Sequence, residues 1–136
     1  GKGVPKYCSS LIPVEYQNKF LLFDETEEVY SFMSSMDIFC LSSAWGEGFP
    51  NVLAEAMLLE IPCVSTDVGD SETILNGNGF LVPAKDIEAM ETAIIKLLKY
   101  PKVQRNKIGK KSRENIIENY DLAGQIEKLE ILWDCK

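Results

Sequence analysis

Two glutamates, Glu47 and Glu55, bracket the segment Gly48-Phe49-Pro50-Asn51, with seven residues between them. Chemistry in this chain is most legible here. An apolar run, Asp37-Ile38-Phe39-Cys40-Leu41, leads into a loop from Ser42 to Phe49 that holds two glycines. Pro50 follows, the residue best suited to the first turn of a helix. A strand that runs through such a loop into a helix aims free backbone N–H groups and the positive dipole end at whatever lies in front. That is a generic anion site, suited to a phosphate. Gly48 lets a ligand approach the backbone closely. In a parallel α/β sheet, ligands bind beyond the carboxyl ends of the strands, where this loop falls.

Glu55 lies on a stretch, Val52 to Leu59, that is otherwise apolar nearly all round. A helix of that kind is buried, and a carboxylate on it needs a partner. A hydroxyl-rich ligand would supply donors to both oxygens; a lysine or solvent would serve the pattern equally well. Glu47, between two glycines, has the context of a solvated loop carboxylate when taken alone. Trp45 and Phe49 offer flat faces for a base or a sugar, or cover for a sheet edge.

The elements that must position these residues follow an alternating α/β pattern. Phe20 to Phe23 is a short apolar run that predicts a buried strand. Glu27 to Met36 carries Val29, Phe32, Met33 and Met36 at helical spacing, with Thr26 as N-cap. Asp37–Leu41 is the next strand and Asn51–Glu60 the next helix. Pro62 bars further helix, Cys63–Ser65 is a strand, and Ser71–Leu75 a short acidic helix. Asn76-Gly77-Asn78-Gly79 is a turn cluster, and Phe80–Val82 is a strand stopped by Pro83. From Asp86 a helix places Ile87, Met90, Ile94, Leu97 and Leu98 on one face, and Pro101 ends it. Val103–Tyr120 and Leu122–Trp133 predict two further helices. Residues 1–16 give no assignment.

Composition narrows the function classes. With 136 residues and 46% hydrophobic content, the chain fits one compact domain with a true core. Its longest apolar runs are four residues, far short of the roughly twenty that span a bilayer. The net charge of −7 argues against a general nucleic-acid binder. There is no histidine, so this chain holds no Ser-His-Asp triad, His-ligated zinc or histidine base. None of the four cysteines forms a C-x-x-C pair. Cys40 and Cys63, inside apolar runs, are expected to pack as small hydrophobes. Reduced thiols and no visible secretory leader imply a cytoplasmic setting. Charge is uneven: residues 1–100 hold 6 basic and 15 acidic side chains, residues 101–136 hold 8 and 6. Lys102, Arg105, Lys107, Lys110, Lys111 and Arg113 form a basic stretch that reads foremost as a solvated helix face, and secondarily as a contact for anionic headgroups.

The Glu47…Glu55 spacing resembles the Glu-x-seven-Glu motif of retaining GT-B glycosyltransferases. Around it, Asp37 to Ser43, Glu47 to Leu53, Glu55-Ala56-Met57, Ile61 to Gly69, Glu72 and Asn78 to Pro83 follow the family's order. The likeness spans about Phe20 to Lys99 and is nearest to family-four enzymes that build bacterial surface polysaccharides. It implies a Rossmann-like parallel sheet with helices on both faces, residues 1–136 being part of the C-terminal, nucleotide-sugar-binding half of a two-domain enzyme.

By the same resemblance, Glu55 would bond the ribose hydroxyls, and Glu47 would contact the transferred sugar near its anomeric carbon. Gly48, Phe49, Pro50 and Asn51 would face sugar and diphosphate. The Phe-Pro-Asn form of the loop resembles that of enzymes using UDP-hexose or UDP-N-acetylhexosamine. The acceptor would be a glycan or lipid-linked, and no metal or other cofactor is implied. The full enzyme would touch the inner face of the membrane peripherally. The acceptor domain and the basic phosphate-binding residues have no counterpart here, so the isolated chain is expected to be inactive.

Two departures stand out. Glu60 occupies a position where the family favours glycine as a left-handed C-cap, and Asp70 replaces a common glycine beside the presumed sugar pocket. Two other functions remain open on the residues: a GT-B sugar-nucleotide epimerase, and a non-catalytic interaction module. Release of free UDP with an elongated acceptor separates the first from a transferase, and UDP binding separates the second.

Overall fold

The computed structural model describes residues 4–23, 26, 28–46 and 48–120. They fall into two units, Gly1–Phe32 and Met33–Lys136. The first holds helix α1, Val4–Leu11, a 3-10 turn over Val14–Lys19, and most of the short helix α2, Val29–Met33. The Thr26 hydroxyl accepts from the Glu28 N–H at 3.1 Å, a local turn and not the expected N-cap, because α2 begins only at Val29. α2 is shorter than the predicted Glu27–Met36.

Phe20–Phe23 is not a strand. All four side chains are exposed, and Phe23 stands edge-on against Phe32, centroids 4.8 Å apart. An apolar run without alternation reads the same whether it is a buried strand or a connector. Among the described residues no strand pairs with it.

The second unit carries a three-stranded parallel sheet. The strands are β1, Phe39–Leu41, β2, Cys63–Thr66, and β3, Phe80–Val82, in the order β1-β2-β3. Phe39 pairs with Cys63, Val64 with Phe80 and Thr66 with Val82. The helices between them are α3, Asn51–Leu58, and α4, Ser71–Leu75, followed by α5, Ile87–Lys99, and α6, Lys102–Tyr120. Strand alternation divides the core in two. Phe39 and Cys63 face Leu53, Ala56 and Met57 of α3, Ile74 and Leu75 of α4 and Ile116 of α6. Val64 and Val82 face Ala93 and Leu97 of α5. Helices thus cover both faces, as predicted.

Two packing expectations change, for Cys40 and for the stripe of α5, while that for Cys63 holds. Cys40 is exposed: among the described residues β1 is an edge strand of the sheet. Cys63 is buried, and burial, with a smaller contribution from Cys40, pushes its thiol well above the usual range. It is an inert core group. On α5, Ile87 and Leu98 are exposed while Ala93 and Leu97 are buried. The packed stripe therefore runs through Met90, Ala93, Ile94 and Leu97. Asp86 caps this helix as expected, its Oδ1 accepting from Ala89 N–H at 2.9 Å. The predicted helix Leu122–Trp133 lies outside the described residues.

α6 is held by polar contacts rather than an apolar stripe. Gly109, Ser112 and Asn115 are buried on it together with Ile116. The Ser112 hydroxyl donates to the Asn78 carbonyl at 2.7 Å. Asn115 Nδ2 donates to the Ile74 carbonyl, and its Oδ1 accepts from Asn76 Nδ2, both at 2.9 Å. Arg113 donates to the Leu58 carbonyl at 2.6 Å. Each bond satisfies a carbonyl or side chain where α3 or α4 ends, groups that a helix leaves orphaned. Glu60, just past α3, has φ +61°, so of the two alternatives its position leaves, mild strain or a different cap, the structure shows a left-handed residue that carries strain. Gly109 lies so close to the Glu60 carbonyl that a Cβ there would overlap it.

Candidate donor-binding site

The site grows from β1. Beyond Leu41 the chain leaves the carboxyl end of the sheet, turns through Gly46 at φ +82° and enters α3 at Asn51, as Pro50 predicts. Pro50 is buried and takes the N-cap position, with no side chain capping the helix. The first-turn N–H groups are therefore not occupied by a side-chain cap.

A second loop, from β2 to α4, pins the first at both ends. The Thr66 hydroxyl donates to the Ser43 carbonyl at 2.7 Å. The Asp70 N–H donates to the Gly48 carbonyl at 3.0 Å. Thr66 is buried, so its bond is shielded from competing water. Beneath it, the buried Ser65 and Ser71 hydroxyls lie 3.2 Å apart. The third strand contributes Lys85, whose ammonium sits 4.7 Å from the centre of the Trp45 ring. Beside it lies an open depression of about 270 Å³ lined by Ser42, Lys85, Asp86, Ile87 and Met90. Loops from all three strands thus converge at one end of the sheet.

Gly48, Phe49, Pro50 and Asn51 stand together there, as the sequence required. A Cβ on Gly48 would meet no protein atom within 4 Å, so the space before it is open. Phe49 is 40% exposed and packs edge-on against Tyr120, centroids 5.5 Å apart. Trp45 is exposed. Asp70 is exposed beside Gly48. Burial, and next the Asp70 charge, raise the Tyr120 phenol above its ordinary value. Asp70, Tyr120 and Phe49 therefore form one cluster.

Glu55 is half-buried, between the buried and solvated settings its pattern allowed. It shares a stripe with Asn51 and Leu58, while Leu53, Ala54, Ala56 and Met57 are buried. Residues four apart lie on one helix face, and side chains lean toward the helix start. Glu55 therefore leans toward Asn51 and the loop. Among the described residues, no hydrogen bond or ion pair engages its carboxylate. Glu47 lies outside the described residues.

Sequence reading did not find Thr66, Lys85 and Tyr120. A threonine at a strand end carries a weak signal, a hydroxyl where burial is expected. Lys85 and Tyr120 are distant from the motif in sequence and carry none. Among the described residues no group of three or more carboxylates and thiols is placed to hold a metal ion.

Comparison with known proteins bears on this arrangement. A family model, "Glycosyl transferases group 1", matches residues 1–100. The chain is 28% identical over 134 residues to N-acetyl-alpha-D-glucosaminyl L-malate synthase of Bacillus anthracis, covering 95% of this chain and 35% of that one. It is 31% identical over 116 residues to the capsular polysaccharide biosynthesis glycosyltransferase CapM of Staphylococcus aureus, covering 84% and 30%. Its fold superposes with a TM-score of 0.75 on a point mutant of S. aureus TarM in complex with fondaparinux, alpha-GlcNAc-glycerol and UDP. That match has 27% identity and covers 96% of this chain and 27% of that one. The parallel sheet with helices on both faces is that of GT-B structures. The chain spans about a third of the two curated relatives' length.

Proposed function

The chain belongs to the group 1 glycosyltransferases, and we propose that it is the donor-binding portion of a two-domain GT-B enzyme, residues 1–136 forming part of the C-terminal domain. The enzyme moves a hexose or N-acetylhexosamine from a UDP-sugar to a glycan or lipid-linked acceptor, with retention, in surface polysaccharide synthesis. The observation that carries this is the β1–α3 junction. Its loop is pinned to the neighbouring strand's loop at the carboxyl end of a parallel sheet, with the half-buried Glu55 one turn into α3. The name of CapM and the UDP in the TarM complex support the class of product and of donor.

Each residue then has a task. The α3 start, which Pro50 opens, offers the Asn51 N–H and a positive dipole end to the diphosphate, which becomes more negative as the bond from anomeric carbon to phosphate oxygen breaks. Gly48 leaves room for the sugar, and Phe49, held by Tyr120, walls it. Glu55 accepts from the ribose hydroxyls. Glu47 contacts the sugar hydroxyls near the anomeric carbon, where positive charge develops. The acceptor oxygen bonds to that carbon on the face UDP leaves, and its proton departs with the diphosphate. No residue of this chain needs a metal for these roles.

In the full-length enzyme, Glu55→Ala should raise the KM for nucleotide sugar about 10- to 100-fold, the worth of a charged hydrogen-bond pair. Glu47→Ala should act mainly on kcat. Unchanged steady-state constants in both variants would remove the assignment. The isolated chain should bind UDP weakly and transfer no sugar. Sub-micromolar UDP affinity, or transfer by the chain alone, would contradict it.

A further inference from the structure

The inner face of α6 is filled, by Gly109, Ser112, Asn115 and Ile116. Its flank toward β3 is not. Between the start of β3, the end of α5 and the first turns of α6 lies a recess of about 280 Å³. It stands at the amino end of the strand, whereas the loops around Gly48 stand at the carboxyl end. Its floor is Phe80, Tyr100 and Ile108. All three are half-buried and pack against the core of Val64, Val82, Ala93 and Leu97. The walls are pinned as well. Arg105 donates to the Tyr100 carbonyl at 2.9 Å, and Ser112 holds the Asn78 carbonyl at 2.7 Å. The recess is therefore shaped by the fold itself.

The rim carries Gly77, Gln104 and Lys111. Gln104 and Lys111 are exposed. Among the described residues, neither of these side chains nor the Tyr100 hydroxyl has a hydrogen-bond or ionic partner. Arg105 and Arg113, on the same helix, do have carboxylates beside them, Asp37 and Glu60. Lys111 is the one charged side chain lining the recess, and residues 95–113 hold eight basic side chains and no acidic one. Lys96, outside the recess, sits 5.0 Å from the centre of the Phe80 ring, so the surrounding potential is positive. Gly77 has φ +75°, and a Cβ there would meet nothing within 4 Å. The opening is therefore clear of protein on that side.

We propose that this recess binds a small aromatic carboxylate. An apolar floor with a few polar groups converging at its rim is the anatomy of a small-molecule site. One unpaired ammonium above three apolar side chains selects a single negative group on a flat apolar body. The carboxylate meets Lys111, with the Gln104 amide and the Tyr100 hydroxyl as further donors. The ring lies over Phe80 and Ile108. An apolar cavity of about 150 Å³ takes benzene, so 280 Å³ has room for one ring and its carboxylate. A diphosphate fits the lining badly, because it would bring several charged oxygens onto an apolar floor that offers them no donor.

The test is a titration of the full chain with phenylacetate, followed through amide chemical shifts by NMR. Saturable shifts are expected at Gly77, Phe80, Gln104 and Lys111, with a Kd of about 1–10 mM, in keeping with a ligand of that size. Acetate, which lacks the ring, should not saturate. Benzyl alcohol, which lacks the charge, should bind about fivefold more weakly than phenylacetate, the worth of one exposed ion pair. Lys111→Gln should weaken phenylacetate by the same factor of about five. Lys107→Gln removes an exposed lysine outside the recess and should leave the Kd unchanged. Both positions are exposed, and the unshifted amides report that each variant folds. Saturating UDP should not displace phenylacetate, so a failure of the donor-site assignment would leave this result standing. No saturable shift at these four amides, an equal response to acetate or benzyl alcohol, equal weakening by Lys107→Gln, or displacement by UDP would overturn the proposal.

Discussion

The two ends of the parallel sheet are built on different terms. At the carboxyl end, backbone and hydroxyl bonds tie one loop to another, Thr66 to Ser43 and Asp70 to Gly48, while Glu55, Asp70, Trp45 and Gly48 keep surface or open space around them. At the amino end, α6 fills its contacts. Gly109 meets the Glu60 carbonyl, and Ser112, Asn115 and Arg113 each close a helix end or turn. Side chains at one end hold the fold together; those at the other are left with unsatisfied capacity for a ligand. Substitutions at the two ends should therefore separate stability from binding.

Two glycines give the sharpest contrast. Gly109→Ala places a Cβ inside the Glu60 carbonyl, which is backbone and cannot swing away. α6 must move off α3, at a cost of about 3 kcal/mol or more. Chemical denaturation should show most of the chain's stability lost. Gly48→Ala meets nothing within 4 Å. Its midpoint should stay within about 0.5 kcal/mol of the parent, while nucleotide-sugar affinity in the full enzyme falls because the ligand's space is taken. If both variants unfold alike, the two ends are not distinct.

Asn115→Ala comes next. Asn115 is 6% exposed, and its loss leaves the Ile74 carbonyl and the Asn76 amide without their partner. A cost of about 2 kcal/mol is expected, seen as a lower denaturation midpoint at unchanged slope. Thr66→Val keeps the shape and removes the hydroxyl that holds Ser43. It should cost about 1 kcal/mol and also lower UDP affinity, with Thr66→Ser restoring both. A purely structural Thr66 would change the midpoint and leave UDP titration untouched.

Legibility in the sequence follows punctuation, which stands at both ends of the sheet: Pro50 opens α3, Pro62 precedes β2, Asp86 caps α5, and Asn76 takes the left-handed turn after α4 at φ +44°. Period and breakers place β1, β2, β3 and α3 to α5 within a few residues. On α5 the pattern points wrongly to Ile87 and Leu98, because apolar residues occupy more than one face of that helix. The docking face of α6 is only partly legible from hydrophobicity, since glycine, serine and asparagine make most of it beside Ile116. Phe20–Phe23 shows the converse, an apolar run whose burial needs a neighbouring strand that no local pattern reveals. Of the motif's two glutamates, Glu55 can be placed and leans toward the loop. The fixing of that loop by Thr66 and Asp70 depends on a second strand and is invisible from the motif.

The smallest expected effect tests whether α6 tolerates its partner's strain. Glu60 holds φ +61°, a conformation that a side chain makes costly by roughly 1–2 kcal/mol and glycine adopts freely. Its carboxylate offers little return, since Arg113 Nε is 4.0 Å away and both side chains are nearly half exposed. Screened pairs of that kind contribute little. Arg113 keeps its bond to the Leu58 carbonyl whatever stands at position 60. Glycine also gives the unfolded chain more freedom, which subtracts about 0.4–1 kcal/mol. Glu60→Gly should therefore stabilise the chain by about 0.5 kcal/mol, a rise in Tm of about 2 °C. A fall in Tm would mean that the ion pair outweighs the backbone strain, and that the helix end is held by charge as well as by the Gly109 contact.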